Sequence, residues 1–413
     1  MIGKGIGGKL WRVIKNIYEE VLSCVRLGNE TTDWFSVEIG LRQGCILSPS
    51  LFSIFIDGLA EEVKKVGGAT YQHLTLSLLL FAEDIVLMAE DARTLQRMLK
   101  VVHKYSVKFR FKFNQGKSNV MIFGSKKTGK DKFFLGKDEL KVVEEYKYLG
   151  LVVDKDFSWR LHLSKVIEKA SKRMRALCGM GIGQGISVRA LMRGWEVLVR
   201  PLLEYGAEIW GDKVWREGEA LQLEMGRRVL GVSKNTTREV VRGELGLSRI
   251  RSRRTLLRLK FWVKLLRMEE SRLVRKIYER RRREFEEGGR RDKKNWCYWT
   301  WISLKELGME NIWESENFGN PNAFNRMLRT SIQNLEEKFW EEEMKKKPKL
   351  RLYRQIKSSL RIEEYLFDHT RGSRIQFTLL RGEQISEGRD RKVGREKIEE
   401  RVSCLSTGGN SRR

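Results

Sequence analysis

Two short apolar runs enclose a pair of adjacent acids in residues 78–90, which read LLLFAEDIVLMAE. Apolar runs of this length on either side of a polar break predict two strands joined by a tight turn. The acids, Glu83 and Asp84, would then lie at the tip, where two carboxylates are costly if they are buried without positive charge. Mg²⁺ is a candidate to be bound there, because it is a hard cation that takes carboxylate oxygens as ligands. The alternative is an ordinary turn, in which aspartate is common.

The charge of the chain constrains its partners. Lysine and arginine total 82 residues against 54 aspartates and glutamates, which gives a formal net charge of +28. A compact fold with this charge repels itself unless a polyanion normally lies against it, and nucleic-acid phosphates are the usual polyanion. An anionic membrane surface and a simply solvated basic surface are the alternatives. The sequence predicts no transmembrane span and no signal peptide at Met1.

Chain length and cysteine usage bound the class of protein. With 413 residues, 41% of them hydrophobic, the chain can build two or three domains with their own cores. Its five cysteines are scattered and odd in number, which favours a reduced, intracellular set over a disulfide framework. Only four prolines occur, which favours extensive helix.

Apolar spacing predicts the main elements along the chain. A helix is expected over residues 10–27, and a short hairpin is expected after Gly28-Asn29, around residues 34–39. Ser48-Pro49 predicts a helix start with Ser48 as the N-cap. A further helix is predicted over roughly 91–109, and helical periodicity resumes at Ser164 and continues to about residue 285.

Beyond residue 250 the chain becomes basic and aromatic. Arg280–Arg283 form a run of four arginines, and the stretch WCYWTWI follows at 296–302. Basic residues beside exposed rings would suit single-stranded nucleic acid, because bases stack on aromatic side chains. The alternative, which we favour for tryptophan, is that Trp296, Trp299 and Trp301 anchor a small C-terminal core. The last thirty or so residues are expected to be loosely ordered.

Five motifs occur in an order that resembles a known family. They are GLRQGCILSPSLFSIFIDGL at 40–59, the acidic pair, FKFNQGKSNVMIFG at 111–124, YKYLGLVVD at 146–154 and LMRGWEVLVRPLLEYGAEIWG at 191–211. Together they resemble the reverse transcriptases of non-LTR (LINE-type) retrotransposons more than group II intron maturases. The resemblance covers residues 1 to 235, and the tail around Cys404 weakly resembles the cysteine-rich knuckle with which family members often end.

The resemblance implies an α+β fold in three parts. Residues 1–155 are expected to form a partial polymerase palm, an antiparallel sheet with helices. Residues 156–250 would form a helical thumb, and residues 251–413 a basic helical C-terminal region with a loosely ordered tail. The family's fingers and its first catalytic motif would precede Met1, so the chain is expected to be N-terminally truncated.

The resemblance also implies roles for individual residues. The predicted catalytic residues are Glu83, Asp84 and Lys117, and the predicted metal ligands are Glu83 and Asp84. The residues matching the nucleotide and template pocket are Gly40, Gln43, Gly44, Ser48, Pro49 and Asn114. Tyr148, Leu149 and Gly150 match the primer grip, the hairpin that holds the primer end. Gly44 would allow close backbone approach, Gln43 supplies an amide, and the Lys117 cation would stabilise charge developing on the triphosphate.

Two departures from the family pattern bear on activity. Glu83 stands where the family has an aspartate, and its carboxylate is carried one methylene further from the backbone. The family's other metal-binding aspartate lies upstream, and Asp33 cannot replace it because DWFSVEIG matches the hairpin before the glutamine loop. We therefore expect an RNA-directed DNA polymerase domain that is catalytically defective as given. The alternative is a non-catalytic RNA- and DNA-binding protein derived from it. An RNA template, a DNA primer, Mg²⁺ and a nuclear location are implied by resemblance alone.

Overall fold

A computed structural model of the chain describes residues 2–38, 40–124, 131–183, 185–211, 215–368 and 370–382. The fold is mixed α+β, as expected. Two compact units divide the chain. The first comprises residues 1–147 and 154–157, and the second comprises residues 148–153 and the chain from Ser158 onward. The fold class and the division into two units refer only to the described residues, which do not include the predicted loose tail or Cys404.

The first unit contains three long helices and a series of short strands. Its helices are α1 (Gly8–Glu19), α2 (Ser48–Lys64) and α3 (Ala92–Lys108), with 3₁₀ turns at Ile2–Lys4 and Gln115–Lys117. Its strands are β1 (Leu22–Ser23), β2 (Arg26–Leu27), β3 (Glu30–Thr31), β4 (Phe35–Ser36), β5 (Ala69–Tyr71), β6 (Leu74–Leu76), β7 (Leu78–Phe81), β8 (Asp84–Leu87), β9 (Asn119–Val120), β10 (Phe133–Leu135) and β11 (Asp138–Val142). Strands β12 (Glu145–Tyr148) and β13 (Leu151–Asp154) form a further hairpin.

The core of the first unit lies between α2 and α3. Apolar residues spaced by three and four positions on each helix meet there, including Leu59 and Val63 of α2 with Met98 and Val102 of α3. Helix α3 begins as predicted, because the Asp91 side chain accepts a hydrogen bond from the Thr94 backbone N–H.

Three local predictions for the first unit were wrong. Helix α1 ends at Glu19 instead of residue 27, and the hairpin is formed by β2 and β3 around Gly28, not by residues 34–39. Gly28 adopts a φ of +64°, so the tight turn forms there. Leu47, not Ser48, is the N-cap of α2, because the Ser48 hydroxyl instead donates to the Arg42 carbonyl oxygen at 2.7 Å.

The second unit is helical apart from the hairpin residues 148–153. Its helices are α4 (Arg160–Gly183), α5 (Val188–Gly194), α6 (Arg200–Glu204), α7 (Ala207–Trp210), α8 (Arg216–Leu230), α9 (Arg238–Leu245), α10 (Ile250–Leu266), α11 (Leu273–Glu287), α12 (Trp296–Glu306), α13 (Glu310–Ser315), α14 (Pro321–Lys345), α15 (Arg351–Ile356), α16 (Tyr365–Asp368) and α17 (Arg371–Arg381), with a 3₁₀ turn at Pro348–Leu350. Helices α5 and α6 are joined without a break by a π-helical turn, Trp195–Val199.

The π turn has an identifiable cause in Pro201. Proline lacks an N–H and its ring clashes with the carbonyl four residues earlier in a regular α-helix. The wider turn relieves this crowding, and the Arg200 N–H reaches back to the Trp195 carbonyl oxygen. The helix then ends at Tyr205, whose backbone is extended, and Gly206 follows with a φ of +70°.

Two apolar clusters hold most of the second unit together. One surrounds α4 and α8 and includes the fully buried Ala170 and Met174. The other lies around α10 to α14, where Trp262 stacks on Trp313 with ring centroids 5.8 Å apart. Trp296 and Trp301 pack against this second cluster, as the structural alternative predicted, whereas Trp299 is not among the residues packed against it. No helix among the described residues is long and apolar enough to span a membrane.

Candidate active site

Glu83 and Asp84 lie at the tip of an antiparallel hairpin, as predicted. Strands β7 and β8 pair in a register that sets Phe81 opposite Asp84, so Ala82 and Glu83 alone form the turn. Ala82 has a φ of +47°, a conformation that tight hairpin turns require. The flanking strands are half-buried on one face, where Leu78, Leu80 and Ile85 pack against the core of the first unit. This anchors the turn while leaving it in solvent.

Both carboxylates are exposed. The expected cost of burying them therefore does not arise, because water solvates them. Neither side chain hydrogen-bonds or ion-pairs with another described residue. The turn thus presents two neighbouring oxygen donors to solvent.

The two carboxylates have the donor chemistry of magnesium ligands. Carboxylate oxygens are suitable ligands for one hard cation that retains several waters. Two-metal catalysis clamps two ions about 4 Å apart and needs a larger set of ligands. Among the described residues no group of three or more histidine, cysteine, aspartate or glutamate side chains is placed to hold a metal ion. The described residues therefore do not provide a complete two-metal centre.

The glutamine loop, residues 40–47 with Gln43 in it, precedes α2 and is hydrogen-bonded to the start of that helix. Gly40 and Gly44 adopt φ values of +102° and +83°, which only glycine adopts readily. The Ser48 hydroxyl ties the loop to the helix start, and its oxygen also lies 3.1 Å from the Tyr18 hydroxyl. Gln43 and Pro49 are exposed. The loop thus has a defined backbone and an outward-facing amide.

Lys117 lies in the short 3₁₀ turn before β9, and Asn114 immediately precedes that turn. The Ser118 hydroxyl donates to the Asn114 carbonyl at 2.9 Å, and the Tyr146 hydroxyl donates to the Lys117 carbonyl at 2.8 Å. The Lys117 side chain is exposed and forms no ion pair with a described residue. Its backbone is therefore held while its ammonium group is available to a ligand.

The turn between β12 and β13 carries the predicted primer grip. Leu149 and Gly150 both have positive φ values, +46° and +85°. The Leu149 carbonyl accepts a hydrogen bond from the Tyr205 hydroxyl at 2.6 Å, and the Val152 N–H donates to His162 Nδ1 at 3.3 Å. Sequence reasoning assigned no role to Tyr205 or His162. The stretch LEYG, already noted within residues 191–211, was the available signal for Tyr205.

The structure places the predicted residues in two groups. Gln43, Glu83, Asp84 and Lys117 belong to the first unit, and residues 148–150 belong to the second. Among the described residues, no hydrogen bond or ion pair joins the side chains of Glu83, Asp84 and Lys117. Their common use in one site remains a prediction.

The second unit contains a cleft between α4, α8 and the start of α17, which we call the basic cleft. Its volume is about 680 Å³, and its charged lining residues are Arg175, Glu224, Arg227, Arg228, Lys234 and Arg371. Arg228 pairs with Glu224, and Arg227 donates to the Thr236 carbonyl. Arg175, Lys234 and Arg371 form no ion pair with a described residue. The cleft therefore carries uncompensated positive charge.

Comparison with known proteins agrees with the motif order. Residues 6–153 match the family described as Reverse transcriptase (RNA-dependent DNA polymerase). The chain is 23% identical over 210 residues to the RNA-directed DNA polymerase from mobile element jockey of Drosophila funebris, an alignment that covers 49% of this chain and 23% of that protein. It is 26% identical over 218 residues to a probable RNA-directed DNA polymerase from transposon BS of Drosophila melanogaster, covering 48% of this chain and 23% of the relative.

A third relative is the Pol polyprotein of a type-2 retrotransposable element of Drosophila melanogaster, 29% identical over 149 residues, which cover 33% of this chain and 14% of that protein. The matched part of this chain spans 23% of the length of the jockey and BS relatives and 14% of the length of the Pol polyprotein. The matched family, the relatives and the acidic hairpin all agree with the resemblance to reverse transcriptases. This chain contains a reverse transcriptase domain of the non-LTR retrotransposon type.

Proposed function

We propose that this chain is an RNA-directed DNA polymerase domain of retrotransposon origin, with part of the palm and a thumb, and that it binds an RNA template with a DNA primer. The observation that carries the proposal is the antiparallel hairpin with Glu83 and Asp84 at its exposed turn, inside the matched residues 6–153. Residues 1–155 would act as a partial palm, residues 156–250 as a thumb and the basic region beyond as a further nucleic-acid contact. A nuclear location belongs to the same proposal.

The roles of the site residues follow from their chemistry. In the reaction a primer 3′-hydroxyl oxygen bonds to the α-phosphorus of a deoxynucleotide, and pyrophosphate leaves with the electrons of the broken P–O bond. The Lys117 ammonium would stabilise negative charge on the triphosphate. Gln43, presented by the loop containing Gly40, Gly44, Ser48 and Pro49, would hydrogen-bond at the nucleotide or template pocket, beside Asn114. Residues 148–150 would hold the primer end.

We further propose that the 413-residue chain does not polymerise by itself. Glu83 displaces its carboxylate by one methylene, and a misplacement of about 1 Å can cost a hundredfold in rate. The described residues also supply only two carboxylates at this hairpin, fewer than a two-metal centre needs. Glu83→Asp alone is therefore expected to leave the chain inert.

The test is primer extension on an RNA template with Mg²⁺, using four preparations. They are the unmodified chain and Glu83→Asp, each with and without an added palm segment that carries the family's upstream aspartate. We expect no extension by either chain alone, weak extension when the segment is added, and more when Glu83→Asp is combined with it. Clear extension by the unmodified chain would disprove the proposed defect. Silence of all four preparations would contradict the proposed ligand set.

A second candidate function is nucleic-acid binding without catalysis. Glu83, the incomplete carboxylate set and the basic cleft favour it. Both candidates predict binding of RNA and DNA with little sequence preference, whereas only the first predicts extension in the supplemented preparations. A titration in which the chain binds neither polymer at low salt would rule out both.

A further inference from the structure

The turn Tyr148–Leu151 is tightly specified by its own backbone. Its two central residues, Leu149 and Gly150, adopt the left-handed φ values that a two-residue hairpin turn needs, and they lie at the tip of the hairpin. A carbonyl group at such a tip is normally hydrogen-bonded to water. Here the Leu149 carbonyl accepts instead from the hydroxyl of Tyr205, 56 residues away in the sequence.

The Tyr205 ring lies directly against Gly150. A Cβ atom added to Gly150 would stand 2.9 Å from Cε1 of this ring, closer than van der Waals contact permits. Glycine at position 150 is therefore required by the neighbouring ring as well as by its own φ. Although held at its hydroxyl, the Tyr205 side chain is 56% exposed, so it contributes little to the core. Tyr205 therefore contributes more to holding the turn than to stabilising the second unit.

Contacts within the second unit hold Tyr205 in place. Its carbonyl accepts a hydrogen bond from Nε1 of Trp210 at 3.0 Å, and the Trp210 ring is fully buried. Its N–H donates to the Pro201 carbonyl at 3.0 Å. The next residue, Gly206, leaves room for Leu151, since an added Cβ there would lie 2.6 Å from a Leu151 methyl group. Two hydrogen bonds and the close approach of Leu151 to Gly206 therefore hold the backbone at Tyr205.

A second contact holds the strand that leaves the turn. Nδ1 of His162 accepts from the Val152 N–H at 3.3 Å, and His162 is buried beside Trp159 and Trp210. Both contacts lie entirely within the second unit. The turn is thus attached to the helical framework at its tip and at its outgoing strand.

We propose that Tyr205 and His162 are positioning residues that fix the turn Tyr148–Leu151 for recognition of a recessed primer 3′ end. This inference rests on the proposed function, since it takes residues 148–150 as the primer contact. Neither side chain needs to touch the primer. Their effect is to hold the turn backbone in one conformation, so that binding the 3′ end does not also have to order it.

The test measures selectivity for the primer end. Affinity would be compared between an RNA–DNA duplex with a recessed DNA 3′ end and a blunt duplex of equal length. The unmodified chain should prefer the recessed end. Tyr205→Phe removes the hydroxyl donor but keeps the ring, and it should reduce this preference about threefold to tenfold, the effect of one lost hydrogen bond. Binding of single-stranded RNA should stay unchanged. Tyr298→Phe, the same substitution in α12, is the matched control and should retain the preference.

A second measurement reports on the turn without any ligand. Amide hydrogen exchange at Leu149–Val152 should accelerate in Tyr205→Phe, while thermal unfolding and exchange in α4 stay unchanged. Unaltered exchange together with unaltered preference in Tyr205→Phe would overturn the inference. A wild-type chain that binds both duplexes equally would also overturn it, while leaving nucleic-acid binding intact. A wild-type chain that binds no nucleic acid would remove both the inference and the proposed function.

Discussion

At the scale of single residues, His162 is compatible with its contacts in only one protonation state. Its Nδ1 accepts a hydrogen bond, so that nitrogen carries no proton, and its Nε2 is buried without a partner among the described residues. Burial, reinforced by the nearby Lys169, lowers the pKa of His162. Protonation would place a charge among the rings of Trp159 and Trp210.

This predicts a loss of stability in acid. Because the folded pKa of His162 lies below its unfolded value of about 6.5, its contribution is complete above that pH and falls as pH drops through the folded pKa, by up to about 1.4 kcal/mol per pH unit. Urea midpoints at about pH 8 and about pH 5.5 measure it. His162→Gln should lower stability at the higher pH and reduce the difference between the two. His73→Gln, at an exposed position, should change neither, and an equal effect of both variants would refute the assignment.

Residues with local signals could be predicted from the sequence, whereas those with distant partners could not. Glu83 and Asp84 were predicted at a turn because the apolar runs on both sides are adjacent in the chain, and the structure confirms that position. Tyr205 and His162 act on residues 56 and 10 positions away, and neither contact leaves a periodic pattern. The roles proposed for Gln43, Lys117 and the primer grip remain predictions.

At the scale of elements, helices α10 and α14 are joined by a buried carboxylate. Glu336 is 2% exposed and accepts hydrogen bonds from the Arg249 backbone and guanidinium and from the Ser252 hydroxyl. It therefore satisfies donors at the start of α10, where backbone N–H groups lack partners within the helix. The carboxylate also neutralises the half-buried Arg249.

Glu336→Gln should consequently destabilise the chain strongly. The amide removes the negative charge and leaves the Arg249 cation without compensation, and breaking such buried pairs typically costs about 3–5 kcal/mol. Chemical denaturation followed by far-UV circular dichroism would measure the change. Glu341→Gln lies on the exposed surface of the same helix and should stay within about 0.5 kcal/mol of the parent. A loss below about 1 kcal/mol in Glu336→Gln would contradict the proposed role.

Elements with strong caps were predictable, and elements ended by turns were not. Helix α3 was predicted to within about one residue because Asp91 caps it and its apolar positions recur regularly. Helix α1 was extended too far, since Val21 and Val25 continue its apolar spacing although the chain has already turned into β1 and β2. The π turn was not anticipated, because Pro201 could equally have ended the helix.

At the scale of the whole molecule, the +28 charge predicts binding to polyanions, and the basic cleft gives part of that charge a location. Arg175, Lys234 and Arg371 form no ion pair with a described residue, so phosphates could neutralise all three. Each phosphate neutralised releases counterions and contributes about 0.7 to 0.9 to the slope of log K against log salt.

Replacing Arg175, Lys234 and Arg371 together by alanine should therefore reduce that slope by about 2 to 3. Titrations with single-stranded RNA between about 50 and 200 mM salt would measure it. The matched control replaces Lys276, Lys338 and Lys345, three exposed lysines elsewhere in the second unit, by alanine. Equal slopes for the two triple variants would show that binding depends on overall charge and not on the cleft.

The π turn Trp195–Val199 also sets an angular phase. An α-helix advances about 100° per residue, so one extra residue in a turn rotates every later side chain by about that angle. Leu203 is fully buried and Tyr205 faces the hairpin in this rotated frame. Forcing the same residues into an uninterrupted α-helix would turn Leu203 out of the core and aim Tyr205 elsewhere. Deleting one residue of the π turn would instead remove the extra residue and keep both side chains on their present faces, so a single-codon deletion there is expected to leave the hairpin engaged.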